Sequence, residues 1–304
     1  CSYKPISRSY FKMIEILNIF DFKFMKMNTI NTFHLAEGPG GFIEAIVRKR
    51  QNKNDTYCGM TLMENNVDIP KWNKITNLVN ENQNVKLVSG PKHDGNLYFT
   101  HNLNFICKHY ENSMHFITGD GGFDYSVDFN RQEENSINLI FCEMLYALIM
   151  QKNGGSFVLK MFDIFHRNTI EILSILCYFY EKVYIYKPLT SREANSEKYI
   201  ICKNFRRKKN YDLIIGKLKH NFHLMKSQKI VKILNYDMNC FFLNKVQEIN
   251  AIYGQQQIEN ILCTINHVYD FKKDKINKMK HNNIGKCKKW CQEHEQPINS
   301  CFYN

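Results

Sequence analysis

The chain has 304 residues, 44% of them hydrophobic, with 22 Phe, 17 Tyr and a formal net charge of +12. That length and apolar content suit a large folded core, with or without an appendage, and exclude an intrinsically disordered chain despite the abundance of Asn and Lys. The most apolar stretch, residues 139–150, is shorter than the roughly 18 residues of a membrane span and contains Glu143, so no membrane partner is expected.

Taken in chain order, residues 8–20 (RSYFKMIEILNIF) read as a helix, because Tyr10, Met13, Ile14 and Leu17 recur at helical spacing. Strand-like runs then follow at 32–37, 56–62, 85–90, 114–120, 155–162, 182–188 and 198–204. Segments 41–51, 137–152 and 167–181 between them have helical spacing. The pattern predicts a Rossmann-like α/β fold: a mostly parallel seven-stranded sheet with helices on both faces. In such sheets a ligand binds beyond the carboxyl ends of the strands, where the strand order reverses. After residue 205 the strand signal fades and 241–271 reads as helical, so the expected organisation is a core over 1–205 and a basic, mainly helical extension over 206–304 packed on it. That extension holds 18 Lys/Arg against 8 Asp/Glu, leaving 23 against 21 in the core. The imbalance points to a polyanionic partner such as RNA. Eleven cysteines, scattered through apolar runs, read as thiols of a reducing intracellular compartment. The first residue is Cys1 rather than Met, and the expectation is an excised domain.

Glu37-Gly38-Pro39-Gly40-Gly41-Phe42 joins the first strand to the next helix, and its glycines let a ligand approach the backbone closely. A dinucleotide fingerprint needs G-x-G-x-x-G, with phosphate on the helix N-terminus. Here the spacing differs and a carboxylate stands beside the loop. A ligand without phosphate and with a cationic amino-acid end fits better, which describes S-adenosyl-L-methionine. Four ionisable residues could meet near this loop: Lys12 on the first helix, Asp120 ending the fourth strand, Lys160 inside the fifth and Glu197 opening the last. Each alone has an ordinary reading: an exposed helical lysine, a turn cap, an edge lysine and a surface glutamate. Together they could hold a hydroxyl beside a methyl donor. Lysine's ordinary pKa is about 10.4, so a base near neutrality needs it lowered. Burial and Lys12 would lower a lysine pKa here while Asp120 and Glu197 would push the other way, so Lys160 is expected to activate the hydroxyl with the carboxylates orienting the lysines, and which lysine loses its proton does not follow from sequence.

SRSYFKMIEI, LAEGPGGFIEA, GDGGF, GSFVLKMFD and TSREANSEKYIICK resemble the successive motifs of the FtsJ-like ribose 2′-O-methyltransferases over about residues 7–204. GMTL (59–62) and the last motif more closely resemble the branch that methylates the first nucleotides of capped mRNA in eukaryotes and large DNA viruses. The resemblance implies S-adenosyl-L-methionine as cofactor and a catalytic tetrad of Lys12, Asp120, Lys160 and Glu197. It implies a cofactor pocket of Glu37, Gly38, Pro39, Gly40, Gly41, Phe42, Asn96 and Asp120, with Asn96 where the cap branch often has aspartate. Asn130 and Asn195 match positions used near RNA, and Arg8 and Arg192 are candidate phosphate contacts. Capped mRNA is the implied substrate, the capping or transcription machinery the implied partner, and the nucleus, or the host cytoplasm for a viral protein, the implied place. The same reaction on ribosomal or transfer RNA, and a catalytically idle RNA-binding subunit, are the alternatives. Cys287, Cys291, His294 and Cys301 offer zinc ligand types at irregular spacing. The same segment reads as a final helix with Cys287, Trp290, Cys291 and His294 on one face, and no metal is expected.

Overall fold

The computed structural model describes residues 1–64, 71–122, 128–225, 232–233, 236–269 and 273–302. Residues of the GDGGF motif after Gly122, and Lys272 in the basic extension, lie outside the described residues. Helix α1 (Ser9–Ile19) precedes strand β1 (Asn31–Leu35), helix α2 (Gly41–Arg50), β2 (Thr56–Met60), α3 (Thr76–Glu81) and β3 (Val85–Val88). There follow α4 (Thr100–Tyr110), β4 (Met114–Gly119), α5 (Gln132–Met150), β5 (Gln151–Met161), α6 (Arg167–Phe179), β6 (Tyr180–Tyr186) and β7 (Lys198–Phe205). Three more helices, α7 (Tyr211–Leu224), α8 (Cys240–Tyr269) and α9 (Lys273–Glu293), form the C-terminal region.

The seven strands make one sheet in the order β3-β2-β1-β4-β5-β7-β6. The first five pair in parallel, whereas β7 runs antiparallel to both β5 and β6. The order reverses between β1 and β4, which marks the crevice where a ligand is expected. Alternation along each strand sorts the side chains to two cores. Phe33, Leu35, Ile117, Phe157, Leu159, Ile200 and Cys202 face α4, α5 and α6. Phe116, Val158, Tyr199 and Ile201 face α1 and α2.

All seven strands expected from sequence are present, though β5 begins at Gln151, directly after α5, rather than at 155. Helix α4 escaped the sequence reading because THNLNFICKHY buries only Asn102, Leu103 and Ile106 and leaves most of its other residues half-buried. Among the described residues no helix is long and apolar enough to cross a membrane. In the C-terminal region, Tyr211 of α7 donates its hydroxyl to the Leu148 carbonyl at 2.9 Å, and Tyr253 of α8 donates to the Ile185 carbonyl at 3.1 Å. The last turn of α9 returns to α1, where Trp290 and Cys291 join the core beneath α1 and α2.

The loop after β3 closes against the end of β2 through Gly95. Its φ is +60°, and a Cβ there would lie 1.8 Å from the Thr61 carbonyl oxygen, a backbone atom that cannot rotate away. Gly95→Ala should therefore lower stability by roughly 1–3 kcal/mol. Denaturant melts should show a lower midpoint with an unchanged slope, and an unchanged midpoint would contradict this packing.

Candidate active site

At the carboxyl edge of the sheet, four charged side chains from four elements alternate in sign. Lys160 lies on the α1 face of β5, two residues beyond Val158. Its Nζ donates to the Asp120 carbonyl at 2.7 Å and lies 3.3 Å from Asp120 Oδ1. Asp120 follows β4 directly and is tied to the neighbouring strand by its N–H, which donates to the Leu35 carbonyl at 3.3 Å. Across the cleft, Lys12 Nζ on α1 meets Glu197 Oε1 at 2.6 Å. The four side chains are only 12–17% exposed, so the pairs are largely dehydrated yet can be reached by a ligand. The antiparallel register sets Tyr199 opposite Lys160, and the Tyr199 hydroxyl donates to Asp120 Oδ1 at 3.0 Å.

The electrostatics differ from the expectation for Lys160. Burial alone would lower its pKa, but Asp120, Glu197 and Glu143 outweigh that effect and raise it above the ordinary lysine value. Lys160 is thus an ammonium, not a neutral amine, in this arrangement. Burial likewise works against the Glu197 charge, yet Lys12, Lys160 and the Ser191 hydroxyl hold its carboxyl below the ordinary range. Ser191 Oγ donates to Glu197 Oε1 at 2.7 Å. Lys187, just beyond β6, grips the same loop by donating to the Asn195 side chain at 3.0 Å and the Glu197 carbonyl at 3.3 Å. Burial, with Lys198 nearby, lowers its pKa to about 8.

The glycine loop turns between β1 and α2. Gly40 has φ +113°, and a Cβ there would lie 2.6 Å from Ile75 Cδ1. Gly41 serves packing, since a Cβ would fall 2.2 Å from both Ser7 Oγ and Ser9 Oγ at the start of α1. Phe42 is fully buried and its ring lies 5.9 Å from that of Tyr199. The Phe42 N–H donates to Glu37 Oε1. The Glu37 carboxyl group therefore occupies the N-terminus of α2, where a dinucleotide's phosphate would otherwise bind. Glu37 Oε2 is buried and has no partner among the described residues, and burial raises the Glu37 pKa well above its ordinary value.

The remaining predicted residues lie outside the charged cluster. Asn96 accepts the Tyr98 N–H at 2.9 Å and so caps its own loop. Asn195 is engaged by Lys187. Arg8, Asn130 and Arg192 are exposed. At the far end, Trp290 and Cys291 of α9 and His294 just beyond it are buried, whereas Cys287, expected on the same helix face, is exposed. His294 Nδ1 lies 3.2 Å from Asn18 Nδ2.

Three contributors were not read from sequence: Tyr199, Ser191 and Glu143. The first two stand within a few residues of Glu197, and only the antiparallel β7 register reveals that Tyr199 faces Asp120. Glu143 is hidden inside α5, among buried apolar residues. Its Oε1 accepts the Gly121 N–H at 2.9 Å behind Asp120, its Oε2 is buried without a partner among the described residues, and burial raises its pKa to about 8.

A family model described as FtsJ-like methyltransferase matches residues 5–205. The chain is 26% identical over 255 residues to cap-specific mRNA (nucleoside-2'-O-)-methyltransferase 2 of Mus musculus, covering 76% of this chain and 31% of that protein. It is 34% identical over 198 residues to the cap-specific mRNA (nucleoside-2'-O-)-methyltransferase of Autographa californica nuclear polyhedrosis virus, covering 65% of this chain and 71% of that one. The chain thus spans about a third of the length of the murine relative. Among solved structures, a ribosomal RNA methyltransferase from Plasmodium falciparum aligns at 20% identity with a TM-score of 0.47, covering 66% of this chain and 99% of that one.

Methyltransferases of this family use S-adenosyl-L-methionine. The residues present suit it. The α2 N-terminus is already satisfied by the Glu37 carboxyl, whose buried Oε2 has no partner among the described residues and would be satisfied by a polar group of the cofactor.

The buried carboxyl of Glu143 gives the site a pH signature. Its folded pKa of about 8 exceeds the ordinary 4.5, so ionisation favours the unfolded chain between those values. Its contribution to stability is full below pH 4.5 and is lost as pH rises toward 8, by up to about 1.4 kcal/mol per pH unit. Glu143→Gln should therefore become increasingly more stable than the parent from pH 4.5 to 8, with no such gain at pH 4. Denaturant melts across that range check this, and a difference that does not vary with pH would contradict a neutral buried carboxyl.

Proposed function

The chain belongs to the FtsJ-like methyltransferase family, and from that premise we propose that it methylates a ribose 2′-hydroxyl of RNA, at a nucleotide next to the cap of mRNA. The observation that carries this reading is the alternating set Lys12, Glu197, Lys160 and Asp120 beside the glycine loop, with Lys160 held as an ammonium. Glu37, Gly38, Pro39, Gly40 and the Asn96 loop would hold the cofactor, which supplies an electrophilic methyl group on a sulfonium.

The hydroxyl need not be deprotonated in advance: as its oxygen bonds to the methyl carbon and the carbon–sulfur bond breaks, its proton becomes acidic and would pass to solvent water, because Lys160 is already protonated. What the chain must supply is position and charge. Lys160 Nζ donates to the attacking oxygen and keeps it oriented. Asp120 holds the Lys160 ammonium from one side, and the Tyr199 hydroxyl fixes the Asp120 carboxylate. Glu197, itself fixed by Lys12 and Ser191, holds the negative potential on the other side. Gly122 leaves room for the ribose to approach, since a Cβ there would sit 3.0 Å from Lys160 Nζ, whereas Gly121 serves packing against α5, where a Cβ would fall 2.6 Å from Leu139 Cδ2.

The cap-proximal assignment is supported by the murine and baculoviral relatives, both cap-specific mRNA (nucleoside-2'-O-)-methyltransferases. All eleven cysteines are free thiols, as suits a reducing compartment such as the nucleus or, for a viral protein, the host cytoplasm.

Methyl transfer from labelled cofactor to short capped and uncapped RNAs, followed by nucleotide analysis, tests the assignment. Label is expected in the ribose of a cap-adjacent nucleotide, and label only in internal nucleotides of uncapped RNA would contradict it. Lys160→Ala should reduce transfer by about a hundredfold or more while cofactor affinity changes little. Transfer within tenfold of the parent would remove Lys160 from the reaction.

A further inference from the structure

Glu15 is fully buried on α1, one turn beyond Lys12, and accepts five hydrogen bonds. Oε1 takes the Tyr186 hydroxyl and the Leu189 N–H, the latter at 2.6 Å. Oε2 takes the Thr190 N–H at 3.3 Å, the Thr190 hydroxyl at 3.1 Å and the indole N–H of Trp290 at 3.0 Å. None of the five donors is a charged side chain. A buried carboxylate held only by neutral donors depends on keeping all of them, because each lost donor leaves charge poorly solvated.

The geometry joins distant parts of the chain. Tyr186, Leu189 and Thr190 begin the loop that ends at Glu197, so α1 is tied to that loop twice, by Glu15 at its start and by Lys12 at its end. Trp290 comes from the end of α9, where its ring meets that of Phe11 edge-on at 5.7 Å. Around it, Tyr10 donates to Gln296 Oε1 at 3.1 Å and the Ser2 N–H donates to the Pro297 carbonyl at 2.8 Å.

We propose that Glu15 and Trp290 are positioning residues: the C-terminal end of the chain clamps α1 to the 187–197 loop and thereby holds Lys12 against Glu197. The role of the last turn of α9 is then to complete the active-site frame from about 275 residues away in sequence. This proposal rests on the methyl-transfer reading of the charged cluster. The clamp acts on the reacting groups through Lys12 and Glu197, so its loss should affect the chemical step more than ligand binding.

Trp290→Phe removes the indole N–H while keeping an aromatic ring beside Phe11, and Glu15→Gln replaces one acceptor oxygen by a donor facing other donors. Steady-state transfer to a short capped RNA is measured for the full chain, together with S-adenosyl-L-methionine affinity and amide hydrogen exchange. Both variants should lose about five- to tenfold in kcat, with KM for RNA and cofactor Kd within twofold of the parent. Exchange should quicken at Leu189 and Thr190, while amides of β1 and β4 keep their protection. A kcat within twofold of the parent, unchanged protection at Leu189 and Thr190, or a uniform loss of protection across the chain would overturn the proposal. A parent that methylates no RNA would instead refute the methyl-transfer reading, and the exchange measurement would still judge the clamp.

Discussion

Lys160 faces Tyr199 across the antiparallel pair of β5 and β7, and the site depends on that register. Side chains alternate along a strand, so a slip of one residue would turn Lys160 into the opposite core and place Leu159 or Met161 in the cleft. With the register as it is, Lys160 and Tyr199 converge on Asp120 at the point where the strand order reverses. The same face of the sheet carries α1, which brings Lys12 over Glu197. One pairing choice thus collects residues from α1, β4, β5 and the edge of β7 into one cleft.

The charges in that cleft are mutually dependent. Lys160 is buried enough that an isolated ammonium would tend to lose its proton, and the surrounding carboxylates reverse the tendency. Glu197 is buried enough that an isolated carboxylate would tend to gain one, and the two lysines reverse that as well. Lys160 and Glu197 are ions because their neighbours are charged. Such a set is strained toward neutralisation only when a member is removed, which is a reason for a site of this kind to keep all four. Glu143 shows the alternative outcome: lacking a direct cationic partner, it stays close to neutral.

Much of this was legible in the residues themselves. The seven strands announced themselves by short apolar runs separated by helical spacing, and the glycine loop and the four charged residues could be picked out with their places in the topology. What escaped detection depends on contacts that have no local signature. Tyr199 reads as one more apolar strand residue until its partner strand is known. Glu143 sits in a run of twelve residues whose burial suggests nothing but core. Glu15 looks like an ordinary helical glutamate, and its five donors come from segments as far away as Trp290. The protonation of Lys160 was not legible for a related reason: the balance between burial and neighbouring carboxylates is set by distances, and spacing along the chain does not contain them.

The central claim is that Lys12 and Glu197 act as one unit with Lys160 and Asp120. A double-mutant cycle on kcat/KM for methyl transfer, using Lys12→Ala, Glu197→Ala and the double substitution, tests it most directly. If the two residues act through their 2.6 Å contact, the double variant should be no slower than the slower single variant, giving strongly non-additive losses. Losses that multiply, so that the double variant shows the product of the two single effects, would mean that Lys12 and Glu197 contribute independently and would contradict the account.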